Sequence, residues 1–157
     1  MAKRYYIAYG SNLNNRQMRK RCPRAAAAGT AVLQGWGLLF KGSGSGAYLT
    51  IEKSRGGTVP VAVWTVTETD EDALDRYEGF PDFYYKKELQ VRYRDVRSGR
   101  RRTVTAFVYI MREDRPFGIP SRSYLETCRE GYRDFGFDTA FLAEALQSSL
   151  EGGCGEG

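Results

Sequence analysis

The sequence predicts an α+β fold in which helices flank a small, mixed, largely antiparallel β-sheet. Its 157 residues are 41% hydrophobic and 27% charged, a balance typical of one globular domain with a single core. Strand-like segments occur in runs with helices between them, and regular strand–helix alternation is too rare for a doubly wound parallel sheet. We expect a single domain over residues 1–150 and a disordered tail, EGGCGEG, over residues 151–157.

The N-terminal half is predicted to contain one short helix among strands. Alternating β-forming residues predict a strand over residues 5–9 that ends at Gly10. Asn12 or Asn14 then caps a basic helix that runs to about Cys22 and ends at Pro23. Further strands are expected within residues 25–40, 48–53 and 58–67, the last buried on both faces, with a flexible connection at KGSGSGAY and a turn at SRGG.

The second half is predicted to begin with a helix from about Asp70. Thr69 is the expected N-cap, and Asp72 follows it three residues later, as in a capping box. The alternating segments YYKKELQVRYRD and TVTAFVYIM are predicted to pair as a β-hairpin. Two helices follow, one capped by Ser121 or Ser123 and the other within DTAFLAEALQSSL.

Composition excludes several classes of catalytic site. The chain contains no histidine, which removes His-assisted serine or cysteine triads and most transition-metal sites. The cysteines Cys22, Cys128 and Cys154 are odd in number and widely spaced, so neither a disulfide framework nor a zinc knuckle is indicated. Acid–base chemistry must therefore use carboxylates, tyrosines, lysines or a cysteine, and we predict no metal.

Charge and hydropathy indicate a cytoplasmic protein without a membrane partner. No apolar run approaches the roughly 18 to 20 residues that a membrane span requires, and the N-terminus reaches polar residues too soon for a signal peptide. The net charge of +5 comes largely from residues 16–21 and 97–102. The second cluster is predicted to lie at a hairpin tip, so we interpret it as solvated surface. We predict no nucleic-acid partner, although steeply salt-dependent nucleic-acid binding through the two clusters stays an alternative.

Glu78 is a candidate for chemistry because it breaks two local rules. It lies four residues after Leu74, on the core-facing side of the predicted helix. It also lies at the helix C-terminus, just before Gly79 at the predicted C′ position, where the macrodipole opposes a carboxylate by ~0.3 to 1 kcal/mol. Partial burial raises a carboxyl pKa, which suits a general base that later acts as an acid. An ordinary glutamate in a last helical turn is the alternative.

The segment YIAYGSNLN, residues 6–14, is the second candidate. A strand that ends in Gly-Ser-Asn ahead of a helix leaves successive backbone N–H groups unpaired, which favours a carboxylate or a polarised carbonyl oxygen. Gly10 permits the positive φ or the close backbone approach that such a loop needs. An ordinary turn with an asparagine cap is the alternative. Hydrolysis by an activated serine is not indicated, because Ser11 has no evident base.

These residues carry a resemblance to the γ-glutamylcyclotransferase (AIG2-like) family over nearly the whole folded chain. The family's YGSNL loop matches Tyr9, Gly10, Ser11, Asn12 and Leu13. Its catalytic glutamate, in an LD..EG context, falls on Glu78 of LDRYEGF. Further matches are VAVWTVTETDEDALD, FYYKKELQV, AFVYIM and PSRSYLETCREGYRDFGF. No single motif is very specific, but their number and order are.

The resemblance implies a closed or nearly closed β-barrel with flanking helices and a cavity that contains Glu78. It implies a cofactor-independent reaction, in which the α-amine of a γ-glutamyl substrate attacks its own γ-carbonyl and releases 5-oxoproline and an amino acid or amine. Glu78 would act as general acid and base, while the N–H groups from Gly10 to Leu13 would hold the substrate and the oxyanion.

Three tyrosines are further candidates for the site. Tyr9 and Tyr109 are predicted to donate hydroxyl hydrogen bonds to Glu78 or the substrate, with core packing as the alternative. Tyr124 of PSRSY is a weaker candidate for substrate contact. A γ-glutamylamine cyclotransferase, a biosynthetic deprotecting enzyme and a catalytically silent binding module of the same fold stay open, as does a homodimer.

Overall fold

The computed structural model describes residues 3–43 and 46–155. Within these residues, five strands form one closed barrel, and four α-helices and a 3₁₀ turn connect and flank them. The elements are β1 (Arg4–Ala8), the 3₁₀ turn (Ser11–Leu13), α1 (Asn15–Arg21), β2 (Ala26–Ser43), β3 (Gly46–Val66), α2 (Glu68–Glu78), β4 (Tyr84–Asp95), β5 (Arg101–Met111), α3 (Arg122–Asp134) and α4 (Ala140–Gly155). The predicted α+β class is confirmed.

The barrel has the strand order β1–β3–β2–β4–β5 and closes where β1 pairs with β5. The closing pair is parallel, with Tyr5 opposite Ala106 and Tyr6 opposite Phe107. The other four pairs are antiparallel. The mixed, largely antiparallel sheet is therefore confirmed, and closure removes the free strand edges that would otherwise invite pairing with other chains.

Strand β3 supplies much of the core. Val59, Val61, Ala62, Val63 and Val66 have no exposed surface, as expected for a continuous apolar strand that is packed on both faces. The pairing of β3 with β2 skips residues 54–57. The predicted turn at SRGG is therefore a bulge within one long strand, because the chain resumes its pairing with β2 on both sides of the segment.

Helix α2 begins two residues earlier than predicted. Thr67 is the N-cap instead of Thr69: its hydroxyl accepts from the Asp70 backbone N–H at 3.2 Å, and the Asp70 carboxylate accepts from the Thr67 N–H at 3.1 Å. The segment TETDED contains the Thr-x-x-Asp pattern twice, and the sheet ends at Val66, just before the first copy. The predicted end of the helix is confirmed, since Gly79 caps it with φ 63°.

The remaining elements decide several open points. Asn14 caps α1 and Ser121 caps α3, each by accepting from a backbone N–H three residues further along. The sequence predicted a disordered tail from residue 151, whereas α4 continues through Gly155; residues 156 and 157 lie outside the described residues. Of the predicted flexible connection, residues 41–43 and 46–48 pair as a hairpin, and residues 44 and 45 lie outside the described residues. None of the helices described is long and apolar enough to cross a membrane.

Candidate active site

A pocket of about 360 Å³ lies where the 3₁₀ turn after β1 meets the C-terminal end of α2. Strands β3, β4 and β5 and helix α3 complete its wall. Seven tyrosines line it: Tyr6, Tyr9, Tyr48, Tyr77, Tyr84, Tyr109 and Tyr124. Among the described residues that line it, Glu78 and Arg76 carry the only charges. The pocket is therefore rich in neutral hydroxyl groups and contains one carboxyl.

Glu78 lines this pocket from the last turn of α2. Its side chain has no hydrogen-bond or ion-pair partner within the described part of the chain. Burial raises its pKa from 4.5 to about 8, and the positive charge of Arg21 opposes the rise. At pH 7 only about a tenth of such a carboxyl is ionised. The group can therefore accept a proton from a bound ligand and return it without a large change in free energy.

Arg21, at the end of α1, holds several groups of the pocket in place. Its guanidinium carbon lies 3.3 Å from the ring centroid of Tyr77. The same group donates to Asn12 Oδ1, and to Gln17 Oε1 at 3.1 Å. Arg21 belongs to the first basic cluster of the sequence, residues 16–21, to which the sequence assigned no role in the site. It is only partly exposed, and its positive charge lowers the pKa of Glu78.

The loop after β1 offers fewer backbone donors than predicted. The Leu13 N–H donates to the Gly10 carbonyl at 3.0 Å, and the Leu13 side chain is fully buried outside the pocket. Leu13 is therefore not among the residues that line the pocket, and its contact with substrate stays a prediction. The N–H groups of Gly10, Ser11 and Asn12 have no acceptor among the described residues. These three are the open backbone donors of the loop that lines the pocket with Glu78.

Close backbone approach, and not positive φ, explains Gly10. Its φ is −132°, and a Cβ there would lie 3.3 Å from Leu49 Cδ1 and 3.5 Å from the Tyr124 hydroxyl. Gly131 acts in the same way from helix α3, since a Cβ at Gly131 would lie 2.6 Å from the backbone nitrogen of Asn14. Helix α3 therefore packs directly against the loop and supports it from behind.

Among the described residues, neither Tyr9 nor Tyr109 donates to Glu78, and a bond from either hydroxyl to a substrate stays a prediction. Tyr9 donates to the backbone carbonyl of Tyr109 at 2.7 Å, and Tyr109 donates to Asp75 Oδ1 at 2.6 Å. The Tyr124 hydroxyl accepts from the Leu49 backbone N–H at 3.1 Å. All three rings nevertheless line the pocket. They shape its wall, and these hydroxyl contacts connect its strands and helices.

A family model matches most of the chain, including the segments that form this pocket. The family model described as "Gamma-glutamyl cyclotransferase, AIG2-like" matches residues 6–126. The chain belongs to this family. The matched region contains both the loop after β1 and Glu78, and it ends within α3.

Solved structures share the fold of this AIG2-like protein. A structure described as "Gamma-glutamyl cyclotransferase" is 26% identical, with a TM-score of 0.78 over 92% of this chain and 86% of that chain. An uncharacterized protein from Homo sapiens is 27% identical, with a TM-score of 0.78 over 92% and 87%. YkqA from Bacillus subtilis is 20% identical, with a TM-score of 0.76 over 94% of this chain and 55% of that chain, and shows the fold alone. No curated protein matched.

Other reactive groups of this AIG2-like protein are poorly suited to catalysis. Burial raises the pKa of Cys22 and of Cys128 to about 12, so both thiols stay protonated near neutral pH. Within the described residues, no three histidine, cysteine, aspartate or glutamate side chains are grouped to hold a metal ion. Glu78, with a pKa of about 8, is therefore better suited to proton transfer near neutral pH than either thiol.

Sequence reasoning missed several residues that form or support the pocket, and four of them bear on its chemistry. Tyr6 and Arg76 line it, Arg21 sets its charge, and Gly131 supports its loop. Tyr6 gave no signal because β1 is buried on both faces over residues 6–8. Gly131 interrupts a helical segment, and an isolated glycine in a helix often indicates a packing contact.

Proposed function

We propose that this protein is a γ-glutamylcyclotransferase that converts γ-glutamyl amino acids to 5-oxoproline and a free amino acid. Family membership supports the reaction class. The observation that carries the assignment is the unpaired Glu78 carboxyl, which lines the pocket with a pKa of about 8. A general base works best when its pKa lies near the operating pH.

Glu78 would manage the protons of an intramolecular ring closure. The substrate α-nitrogen forms a bond to the γ-carbonyl carbon, and the amide bond from that carbon to the leaving nitrogen breaks. The ring nitrogen ends with one hydrogen and the leaving amine with three, so two protons pass between the nitrogens and none is consumed. Because both nitrogens belong to one bound molecule, the pocket needs mainly to fix its conformation and relay these protons.

The N–H groups of Ser11 and Asn12 would hold the developing negative charge. The γ-carbonyl oxygen becomes an oxyanion when the α-nitrogen adds to the carbonyl carbon. Donors that are already in place stabilise such a charge without rearranging at the moment of reaction. Both N–H groups lack a protein acceptor within the described residues and lie in the loop that lines the pocket with Glu78.

Arg76 favours an amino acid over a cationic amine as the leaving group. It lines the pocket, is exposed, and has no ion-pair partner in the described part of the chain. A leaving amino acid carries a carboxylate that this guanidinium can attract, whereas a diamine carries a positive charge that it repels. We therefore propose γ-glutamyl amino acids as substrates, ahead of γ-glutamylamines.

Chromatographic detection of 5-oxoproline tests the proposal. The protein is incubated with a panel of γ-glutamyl amino acids and γ-glutamylamines, and Glu78→Gln is tested in parallel. Glu68→Gln is the matched control, since Glu68 lies on the same helix, is exposed and does not line the pocket. We expect product from the amino-acid conjugates with the wild type and the control, and none with Glu78→Gln.

Three outcomes would contradict this assignment. Near-wild-type turnover by Glu78→Gln would place the base elsewhere. Product from the amine conjugates alone would reverse the assigned leaving group. If no substrate of the panel gave 5-oxoproline, a specialised γ-glutamyl metabolite as the substrate, or a catalytically silent binding module, would be favoured.

A further inference from the structure

Tyr6 lines the pocket with a hydroxyl whose hydrogen-bonding direction is constrained. The residue is only 3% exposed, and its ring is held by Phe107, at a centroid distance of 5.3 Å, and by Tyr109, at 5.8 Å. Its hydroxyl oxygen accepts a hydrogen bond from Asn12 Nδ2 at 2.9 Å. The O–H itself has no acceptor among the described residues.

A chain of hydrogen bonds sets this direction. The Arg21 guanidinium has only donors, so the group that it contacts on Asn12 must be the carbonyl oxygen, Oδ1. The Asn12 amide nitrogen is therefore the group that faces Tyr6, where it donates. A phenol that accepts a bond from one side directs its own O–H elsewhere. Arg21 thus determines, through Asn12, that Tyr6 does not donate towards the loop.

Tyr6 and Glu78 line the same pocket. After burial, the negative charge of Glu78 is the largest influence that raises the pKa of Tyr6, and the same holds for Tyr9. The two tyrosines differ in their hydrogen bonds, since Tyr9 donates to the Tyr109 carbonyl. Tyr6 is therefore the one of this pair that has a donor available to a ligand next to Glu78.

We propose that Tyr6 is a catalytic hydrogen-bond donor to the γ-carbonyl oxygen, and that Asn12 and Arg21 are positioning residues that direct its O–H. This inference rests on the proposed function. Both substrate nitrogens must reach Glu78, and the reacting carbon is bonded to both in the tetrahedral intermediate. The oxygen on that carbon consequently develops its charge beside Glu78, within the region that Tyr6 faces. Burial keeps the phenol protonated, so it donates without losing its proton.

The variant Tyr6→Phe removes the hydroxyl and keeps the ring. We expect kcat to fall by about 100-fold, as for loss of one oxyanion donor, while KM stays within about twofold. Tyr132→Phe is the control, since Tyr132 is equally buried, lies outside the pocket and has a hydroxyl with no hydrogen-bond partner among the residues described. A kcat within twofold of the wild type, or a rise in KM alone, would overturn the inference.

A double-mutant cycle tests the positioning role of Asn12. Asn12→Asp keeps the shape but replaces the donor with an acceptor, which draws the Tyr6 O–H away from the pocket. Measured on the alkaline plateau of the rate, kcat should fall, and Tyr6→Phe/Asn12→Asp should be no slower than the slower single variant. Losses that multiply in the double variant would show that Asn12 acts independently of Tyr6.

The same measurements separate this inference from the proposed function. If the wild type forms 5-oxoproline and Tyr6→Phe is equally active, the role of Tyr6 is overturned and the proposed function is left intact. Absence of 5-oxoproline with the wild type overturns both. If the wild type and Tyr132→Phe form 5-oxoproline and Tyr6→Phe is strongly impaired, both the proposed function and the role of Tyr6 are supported.

Discussion

Replacing Glu78 with glutamine is expected to stabilise the protein at neutral and alkaline pH while it abolishes turnover. The unfolded carboxyl ionises near pH 4.5 and the folded one near pH 8. Between these values the folded state binds more protons than the unfolded state, so the free energy of unfolding falls as pH rises. The stability contributed by the protonated carboxyl is fully present below pH 4.5 and is lost by the time pH passes 8.

The magnitude follows from the same two pKa values. At about 1.4 kcal/mol for each pH unit, the wild type would lose up to roughly 5 kcal/mol over the whole window. The pocket is open to solvent on one side, so we expect a loss of roughly 2 to 5 kcal/mol. Glutamine does not titrate, so Glu78→Gln shows no such loss. The difference in free energy of unfolding between the two proteins therefore grows as pH rises.

Urea unfolding followed by tryptophan fluorescence at pH 5, 7 and 9 measures this difference. Glu78→Gln should gain stability relative to the wild type from pH 5 to pH 9, whereas Glu68→Gln should follow the wild type. Parallel stability profiles for Glu78→Gln and the wild type would refute the reasoning, because Glu78 would then titrate alike in the folded and unfolded states.

Three further predictions concern pH, packing and metals. The kcat/KM of the wild type should rise with pH through about 8, the pKa of Glu78. Arg21→Met removes the positive charge that lowers this pKa, so the midpoint of the rise should move to higher pH. Arg24 is exposed, and Arg24→Met should leave the midpoint unchanged. Gly131→Ala forces a methyl group against the Asn14 backbone, so thermal unfolding should show that the free energy of unfolding falls by roughly 1 to 3 kcal/mol. The displaced loop should also reduce turnover. If stability and turnover were both unchanged, α3 would not support the loop. Activity should survive EDTA, because the described residues contain no cluster of metal ligands; loss with EDTA and recovery with a divalent ion would contradict this.

Local sequence rules were sufficient to predict the position of Glu78 on its helix. The apolar Leu74, the following Gly79 and the acidic first turn defined the phase and the end of α2, and both place Glu78 in the pocket wall. The cap was displaced by two residues because Thr-x-x-Asp occurs twice in succession. That error did not move Glu78, since the helix C-terminus is set by its own glycine.

Only the tertiary structure decided the partners of the polar groups. The bonds from Tyr9 to the Tyr109 carbonyl and from Tyr109 to Asp75 join segments that are far apart in the sequence. Closure of the barrel likewise depends on the parallel pairing of β1 with β5. Periodicity and capping report how one segment folds, but not which remote segment lies beside it.

By itself, the sequence therefore determined the class of fold, the carboxyl and the loop that lie together in the pocket. The tertiary structure decided that Leu13 is buried in the core beneath the loop and that the charge of Arg21 acts on Glu78. It also decided that the Tyr6 hydroxyl accepts from Asn12 and donates to no other described residue. The reason is physical: burial and hydrogen-bond direction depend on contacts between distant segments, which form only when the barrel and its helices pack together.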